Sequence, residues 1–147
     1  MRLRSEPWCT RSWVSRYWLW ILGWQVEERV GRGRLLVMVV LVACVSNTAQ
    51  YIISGPFFLG VSGVVAGLVG FIAARQRKGE SYPLPRQALL TILYFMGGAA
   101  LLGMIDLLLR LGSIVSISLP VANTAHLSGL AMGYLLGQIN GLSRRVA

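Results

Sequence analysis

The sequence predicts an all-α membrane protein, a polytopic bundle of helices. Of the 147 residues, 55% are hydrophobic and only 13% are charged, whereas soluble domains carry about 25% charged residues. The mean hydropathy is +0.63, and several uncharged segments approach the roughly 20 residues that a helix needs to cross a bilayer. These observations exclude an ordinary soluble domain.

Four uncharged segments are predicted to be membrane-spanning helices: residues 35–53, residues 55–74, residues 88–105 and a helix that begins near Val121. The last of them follows Pro120, which divides the uncharged residues 111–143 into a loop and a helix. Residues 35–53 differ from the others because their second half is polar, with Ser46, Asn47, Thr48 and Gln50.

A fifth span, the first in the chain, is predicted around residues 17–26, which are uncharged but directly follow Arg16. All five tryptophans lie in residues 8–24, as in a segment near lipid headgroups. Glu27 and Glu28 follow where a signal peptide would have its small-residue cleavage site. We therefore expect a span with a ragged start, and a membrane-surface helix is the alternative.

The charge is strongly basic, with 14 Lys and Arg against 5 Asp and Glu. In an apolar chain this excess indicates cytoplasmic loops rather than a nucleic-acid partner. With five spans, one face receives nine basic residues: Arg29, Arg32, Arg34, Arg75, Arg77, Lys78, Arg86, Arg144 and Arg145. The other face receives Arg2, Arg4, Arg11, Arg16 and Arg110. The C-terminus is therefore predicted to be cytoplasmic, and the four N-terminal arginines are an anomaly.

Glycines recur at helical spacing in the third and fifth predicted spans: Gly63, Gly67 and Gly70, and Gly129, Gly133 and Gly137. Small residues at this spacing let membrane helices approach closely, and packing alone would explain them. Ser62 precedes the first stripe, and His126 lies on the same helix face as the second. If the stripes meet, the single histidine could activate the serine as a nucleophile.

These polar residues also have simpler structural interpretations. A serine in a membrane helix is usually a hydrogen-bonding filler, whereas polar histidines in membranes tend to be functional. Asp106 could be a third member of a triad, but we favour it as the ion-pair partner of Arg110. One histidine, with Cys9 and Cys44 far apart, supplies no metal site, and no phosphate-binding loop is present. We expect no cofactor.

Three segments resemble the rhomboid intramembrane serine proteases. Residues 54–65, SGPFFLGVSGVV, are similar to the catalytic GxSG segment, and residues 122–133, ANTAHLSGLAMG, to the histidine helix. Residues 18–23 and 26–31, WLWILG and VEERVG, resemble the end of rhomboid helix two and the following loop. The resemblance implies a rhomboid-like core with about five of the six family helices. It also implies a Ser–His dyad that cleaves transmembrane protein substrates in a bacterial inner membrane.

The resemblance also assigns roles. Ser62 would be the nucleophile, His126 the general base, and the Ser62 backbone N–H part of the oxyanion hole. No aspartate is required. Glu27 and Arg29 match a structural charged loop, and the basic loops match the cytoplasmic side.

Two positions depart from the family at the site itself. Arg11 and Ser15 stand where such rhomboids carry His-x-x-x-Asn, whose side chains help bind the oxyanion. Each lost oxyanion donor costs about 10²–10³ in rate, so we expect impaired activity. Ala66 replaces a tyrosine that is frequent in the bacterial family.

The predicted organisation is an atypical N-terminal segment, residues 1–16, and a rhomboid-like transmembrane domain, residues 17–147. The hypothesis for residues 1–16 is a truncated or shifted reading frame, so that a complete frame would restore helix one and the His-x-x-x-Asn pair. Two alternatives stay open: a non-catalytic rhomboid-like protein that binds transmembrane segments, and a transporter or channel fragment in which Ser62 and His126 lie far apart. The oligomeric state and the substrate are not predicted.

Overall fold

The computed structural model describes residues 8–54, 60–111, 123–139 and 141, and within these ranges it contains helices and no strand. The five helices are α1 (Trp8–Val30), α2 (Arg32–Ser54), α3 (Ser62–Arg77), α4 (Arg86–Leu111) and α5 (Asn123–Gln138). The predicted all-α bundle is confirmed.

The helices extend beyond the uncharged segments that predicted them. α1 begins at Trp8 and passes through Arg11 and Arg16, and α2 and α4 each begin at an arginine. Arginine is a good helix former, so a charged residue ends an apolar segment without ending a helix. α3 differs in the other direction, because it begins at Ser62 rather than near residue 55. Its first turn closes when the N–H groups of Val64 and Val65 donate to the Val61 carbonyl, at 3.0 and 3.1 Å.

Among the described residues, one helix is long and apolar enough to cross a membrane by the measure of length and hydropathy. It is the α2 segment Arg32–Ile53, with a mean hydropathy of 2.0. Only 22% of its apolar window is buried inside the bundle. Large side chains such as Leu36, Val37 and Ile52 instead point outward, as expected for a helix in contact with lipid.

α3 lies at the centre of the bundle, packed against α1, α2 and α5. Phe71 and Ile72 of this helix are fully buried, together with Leu22 and Val26 of α1 and Val42 of α2. α4 joins the core near its start, where Leu89 is buried. Farther along it, Tyr94, Leu101 and Leu102 are exposed, so α4 is the peripheral helix of the bundle.

α3 and α5 meet backbone to backbone along a glycine seam, formed by Gly63, Gly67 and Gly70 of α3 and Gly129, Gly133 and Gly137 of α5. A Cβ atom built on Gly129 would collide with the Gly63 carbonyl, and one on Gly133 with the Gly67 carbonyl. Lipid offers no hydrophobic driving force for helix association, so close packing of small residues supplies it. The two stripes therefore meet, which is the condition under which the sequence brings Ser62 and His126 together.

The loop between α3 and α4 is held at one peptide segment. The Leu84 N–H donates to Gln25 Oε1 on α1 at 3.2 Å, and the Leu84 carbonyl accepts from Gln76 Nε2 on α3 at 2.8 Å. Both bonds are at least partly buried, and Leu84 itself is buried. The chain therefore enters α4 from a fixed point.

Candidate active site

Ser62 and His126 lie at the same end of the α3–α5 pair. Ser62 is the first residue of α3, and His126 is in the first turn of α5. The seam sets their register, because a Cβ on Gly63 would come within 3.1 Å of the Ala125 carbonyl oxygen. The chain neighbours of the two residues thus face each other, and both side chains are half-buried. A hydrogen bond between these side chains stays a prediction.

The backbone N–H of Ser62 is suited to an oxyanion hole by its position. It is the N–H of the first residue of α3, and the N–H groups that precede the first closed turn of a helix have no carbonyl partner within the helix. The helix dipole also places partial positive charge at this end. An oxyanion that formed beside Ser62 would therefore meet a backbone donor and a favourable field.

α2 supplies polar side chains that hold the chain beside both residues. Buried Gln50 accepts a hydrogen bond on Oε1 from the Ala125 N–H, at 3.0 Å. Asn47 accepts on Oδ1 from the Gly60 N–H at 3.2 Å, while its Nδ2 donates to the Ala43 carbonyl at 2.9 Å. One helix therefore positions the segment before Ser62 and the first turn that carries His126.

Ser46 is the third polar residue of α2 at this end, and it is fully buried. Its Oγ donates to the Ala43 carbonyl at 3.3 Å. A Cβ on Gly63 would lie 2.6 Å from the Ser46 Cβ, so Ser46 packs directly on the start of α3. The sequence signal for these three residues was the polar second half of α2, but their partners could not be read from it.

The opposite end of the pair, which we call the basic end, is held by cations. Buried Arg75 donates from Nη1 to the carbonyls of Gly137 and Ile139, each at 3.4 Å, and its Nη2 lies 2.7 Å from Glu80 Oε1. Lys78 donates to the Gln138 carbonyl. Cations at a helix C-terminus satisfy unpaired carbonyls and complement the dipole.

Two further predicted loop cations also lie at the basic end. Arg77 Nη1 donates to the Tyr134 hydroxyl at 3.0 Å, and Arg34 Nη1 donates to the Gly141 carbonyl at 3.2 Å. Four of the nine basic residues that the sequence placed on one face thus contact the last part of α5 or the residues that follow it. Arg75 was counted as a loop residue, but it lies in the last turn of α3 and is buried.

Glu27 and Arg29, which the resemblance placed in a loop, have structural contacts. Glu27 Oε1 pairs with Arg32 Nε at 2.7 Å, and the Arg29 guanidinium lies 5.1 Å from the ring centroid of Tyr82. Burial raises the pKa of Tyr82 to about 12, and the Glu80 carboxylate adds to this shift. Both residues therefore have structural contacts, but they lie in the last turn of α1 rather than in a loop after it, because the helix continues to Val30.

Several other predicted residues lie where the structure describes only the backbone. Arg11 and Ser15 are in α1, and Asp106 and Arg110 are in α4, but their side chains are outside the described part. Arg144 and Arg145 lie outside the described residues altogether. Cys44 is an exposed free thiol. Within the described ranges, His, Cys, Asp and Glu form no group of three or more that could hold a metal ion.

Comparison with known proteins gives matches over most of the chain. Residues 13–142 match the family model described as Rhomboid domain. The rhomboid protease GlpG of Klebsiella pneumoniae (strain 342) is 35% identical over 128 residues, which is 87% of this chain and 42% of that protein. The rhomboid protease GlpG of Enterobacter sp. (strain 638) is 36% identical over 129 residues, with the same two shares. The chain spans less than half the length of these curated relatives.

Proposed function

Because the chain belongs to the rhomboid family, we propose that it is an intramembrane serine endopeptidase that cleaves transmembrane segments of other proteins. The observation that supports this most directly is the register of the glycine seam. The seam pairs Gly63 with Ala125 and Gly129. Gly63 directly follows the GxSG serine, and Ala125 directly precedes the single histidine. No cofactor or metal ion is needed for this chemistry.

In the proposed reaction, His126 takes the proton from Ser62 Oγ as the oxygen attacks the scissile carbonyl carbon. The Ser62 N–H stabilises the oxyanion of the tetrahedral intermediate. His126 then gives the proton to the leaving amine, and the C–N bond breaks. Water, deprotonated by His126, hydrolyses the acyl-enzyme ester and regenerates Ser62.

The contacts of α2 support this reaction through geometry. Catalysis requires the base within hydrogen-bond reach of the nucleophile, and small displacements are costly. Gln50 fixes the Ala125 peptide directly before His126, and Asn47 fixes the Gly60 peptide two residues before Ser62. Gln50 and Asn47 are therefore positioning residues in this proposal.

The proposed activity is weak, because Arg11 and Ser15 occupy the places of the family's oxyanion-binding histidine and asparagine. A serine can donate one hydrogen bond, but an arginine within a membrane helix is expensive to bury. The same two residues favour the second candidate function, a non-catalytic rhomboid-like protein that binds transmembrane segments. The seam register opposes a transporter or channel fragment with the two residues far apart.

The proposed setting is a bacterial inner membrane with the basic end toward the cytoplasm. Arg34, Arg75, Arg77 and Lys78 meet at that end, and basic residues are retained on the cytoplasmic side of membranes. This orientation would place Ser62 and His126 toward the opposite face.

The test is cleavage of a model transmembrane substrate, together with covalent labelling by a fluorophosphonate that reports an activated serine. We expect slow cleavage by the chain, and none by Ser62→Ala or His126→Ala. A double variant, Arg11→His with Ser15→Asn, restores both donors and is expected to raise the rate by at least about 10²-fold. Its matched control adds Ser62→Ala and is expected to be inactive.

Two outcomes would count against the protease. If the double variant neither cleaves nor labels while remaining folded, the non-catalytic alternative is favoured. If cleavage survives Ser62→Ala, the proposed nucleophile is wrong.

A further inference from the structure

A groove of about 890 Å³ lies between α3, α4 and α5, and neither Ser62 nor His126 lines it. Its apolar walls come from α4 and α5: Leu89, Leu90, Leu93, Leu127, Leu130 and Ala131. A second cavity of about 360 Å³ shares Leu90 and Leu93 with it and extends along α4 past Tyr94 to Gly97 and Gly98. The two cavities together therefore follow α4 from Arg86 to Gly98 and are lined mostly by apolar residues.

Four polar residues also line the groove, toward the basic end. They include Arg77, Arg86 and Tyr134, and among the described residues no acidic side chain lines the groove. Arg77 donates one hydrogen bond to the Tyr134 hydroxyl, out of the five that a guanidinium can donate. Arg86 is exposed at the first residue of α4. Two cations thus stand where the apolar groove begins.

The groove opens on the outside of the bundle rather than toward its core. Leu90 is 42% exposed and Leu127 is 49% exposed, so in a membrane both leucines meet lipid. A ligand for this site must therefore combine an anionic group at the basic end with an apolar portion that follows α4.

We propose that the groove binds one phospholipid with an anionic headgroup, such as phosphatidylglycerol. Arg77 and Arg86 receive the phosphate, the Tyr134 hydroxyl lies beside it, and an acyl chain follows Leu93, Leu127 and Leu130. Arginine forms paired hydrogen bonds with phosphate oxygens, and basic pockets between membrane helices bind anionic headgroups in this way.

The size of the groove separates this occupant from a protein helix. A spanning helix about 10 Å wide and 30 Å long fills about 2,400 Å³, well above the space between these helices. A single acyl chain is much narrower than a helix. The charge pattern also matches a lipid, since a second copy of the chain would bring its own cations to Arg77 and Arg86.

The test measures lipids retained by the folded chain, by native mass spectrometry after purification from bilayers of equal phosphatidylglycerol and phosphatidylcholine. Two arginines near a phosphate predict a preference of about tenfold to thirtyfold for the anionic lipid. The double variant Arg77→Gln with Arg86→Gln is expected to lose that preference. Arg32→Gln is the matched control, because Arg32 is an exposed arginine that does not line the groove.

A second variant tests the apolar part. Ala131→Trp fills the groove from an exposed position while both arginines remain, and it is expected to abolish retention of the lipid. Inorganic phosphate at high concentration is expected not to displace the lipid.

Four results would overturn the proposal. The first three are equal retention of both lipids by the unaltered chain, unchanged retention in Ala131→Trp, and displacement by inorganic phosphate. Loss of preference in Arg32→Gln as well would also overturn it, because it would show attraction by overall charge rather than by this groove.

Discussion

At one end of the α3–α5 pair, neutral side chains from α2 hold the chain, whereas at the other end cations hold it. Gln50 accepts from a peptide N–H at the start of α5, and Arg75 donates to carbonyls at its finish. Both arrangements satisfy backbone groups that helix termini leave unpaired. Uncharged amides can do this within a membrane at modest cost, while buried charges need partners. As a result, the described side chains that hold the chain at the candidate active site are neutral, whereas those that hold it at the basic end are cations.

The largest effect is expected from removing the buried cation at the basic end. Arg75→Met removes the hydrogen bonds to α5 and leaves Glu80 without its ion-pair partner. Loss of one partner from a buried pair costs about 3–5 kcal/mol, and we expect about 3 kcal/mol because Glu80 is 25% exposed. Equilibrium unfolding in mixed micelles measures it.

The matched control for Arg75 is Arg32→Met. Arg32 also pairs with a glutamate at 2.7 Å, but its side chain is 92% exposed, so its loss should cost less than about 1 kcal/mol. Equal effects of the two substitutions would contradict the difference between the buried and exposed pairs.

A smaller loss of stability is expected from a substitution in the glycine seam, midway between the two ends of the α3–α5 pair. Gly133→Ala places a methyl group against the Gly67 carbonyl, and overpacking of this kind costs about 2 kcal/mol. Gly97→Ala on α4 is the control, because a Cβ there meets nothing within 4 Å. That control should be neutral or slightly stabilising, since alanine is the better helix former. The same unfolding assay decides, and an unaffected Gly133→Ala would disprove backbone contact at the seam.

Removing a hydrogen bond at the candidate active site should lower stability less than the two destabilising substitutions above, but it should lower the proposed activity more. Gln50→Leu leaves the Ala125 N–H without its acceptor, at about 1 kcal/mol in a membrane protein. If Gln50 positions the histidine, fluorophosphonate labelling of Ser62 slows in the same variant. The exposed Gln87→Leu should change neither quantity. A stability loss with unchanged labelling would make Gln50 a purely structural residue.

A pH dependence is expected beside the basic end. The pKa of Tyr82 is raised from its ordinary value near 10 to about 12. The folded state therefore holds this proton more tightly, and its contribution to stability is present below pH 10 and is lost between about pH 10 and pH 12. Tyr82→Phe should flatten this part of the stability profile, and Tyr94→Phe, with an exposed ring, should not. Identical slopes would show that Tyr82 does not contribute.

The seam could be predicted from sequence because backbone contact depends only on residue size. Gly63 and Gly129 can be found in the sequence by the helical spacing of the glycines. The register of these glycines then places the chain neighbours of Ser62 and of His126 against each other. The contact of Gln50 with Ala125 joins residues 75 positions apart, and no local pattern specifies it. Charge counting likewise treated Arg75 as a loop residue, because burial depends on the α5 carbonyls that receive it. Uncharged segments measure apolarity rather than helicity, which is why α3 begins seven residues later than the segment that predicted it.

The grip on Leu84 has a mechanical consequence for α4. α1 and α3 hold that residue through its N–H and its carbonyl, whereas Leu101 and Leu102, farther along α4, are exposed. The 26 residues of α4 extend over about 39 Å at about 1.5 Å per residue. A rotation of about 5° about the start of α4 would therefore leave its first turn almost unmoved and carry its last turn about 3 Å sideways. Substitution of Gln25 or Gln76 would remove one of the two hydrogen bonds that hold this starting point.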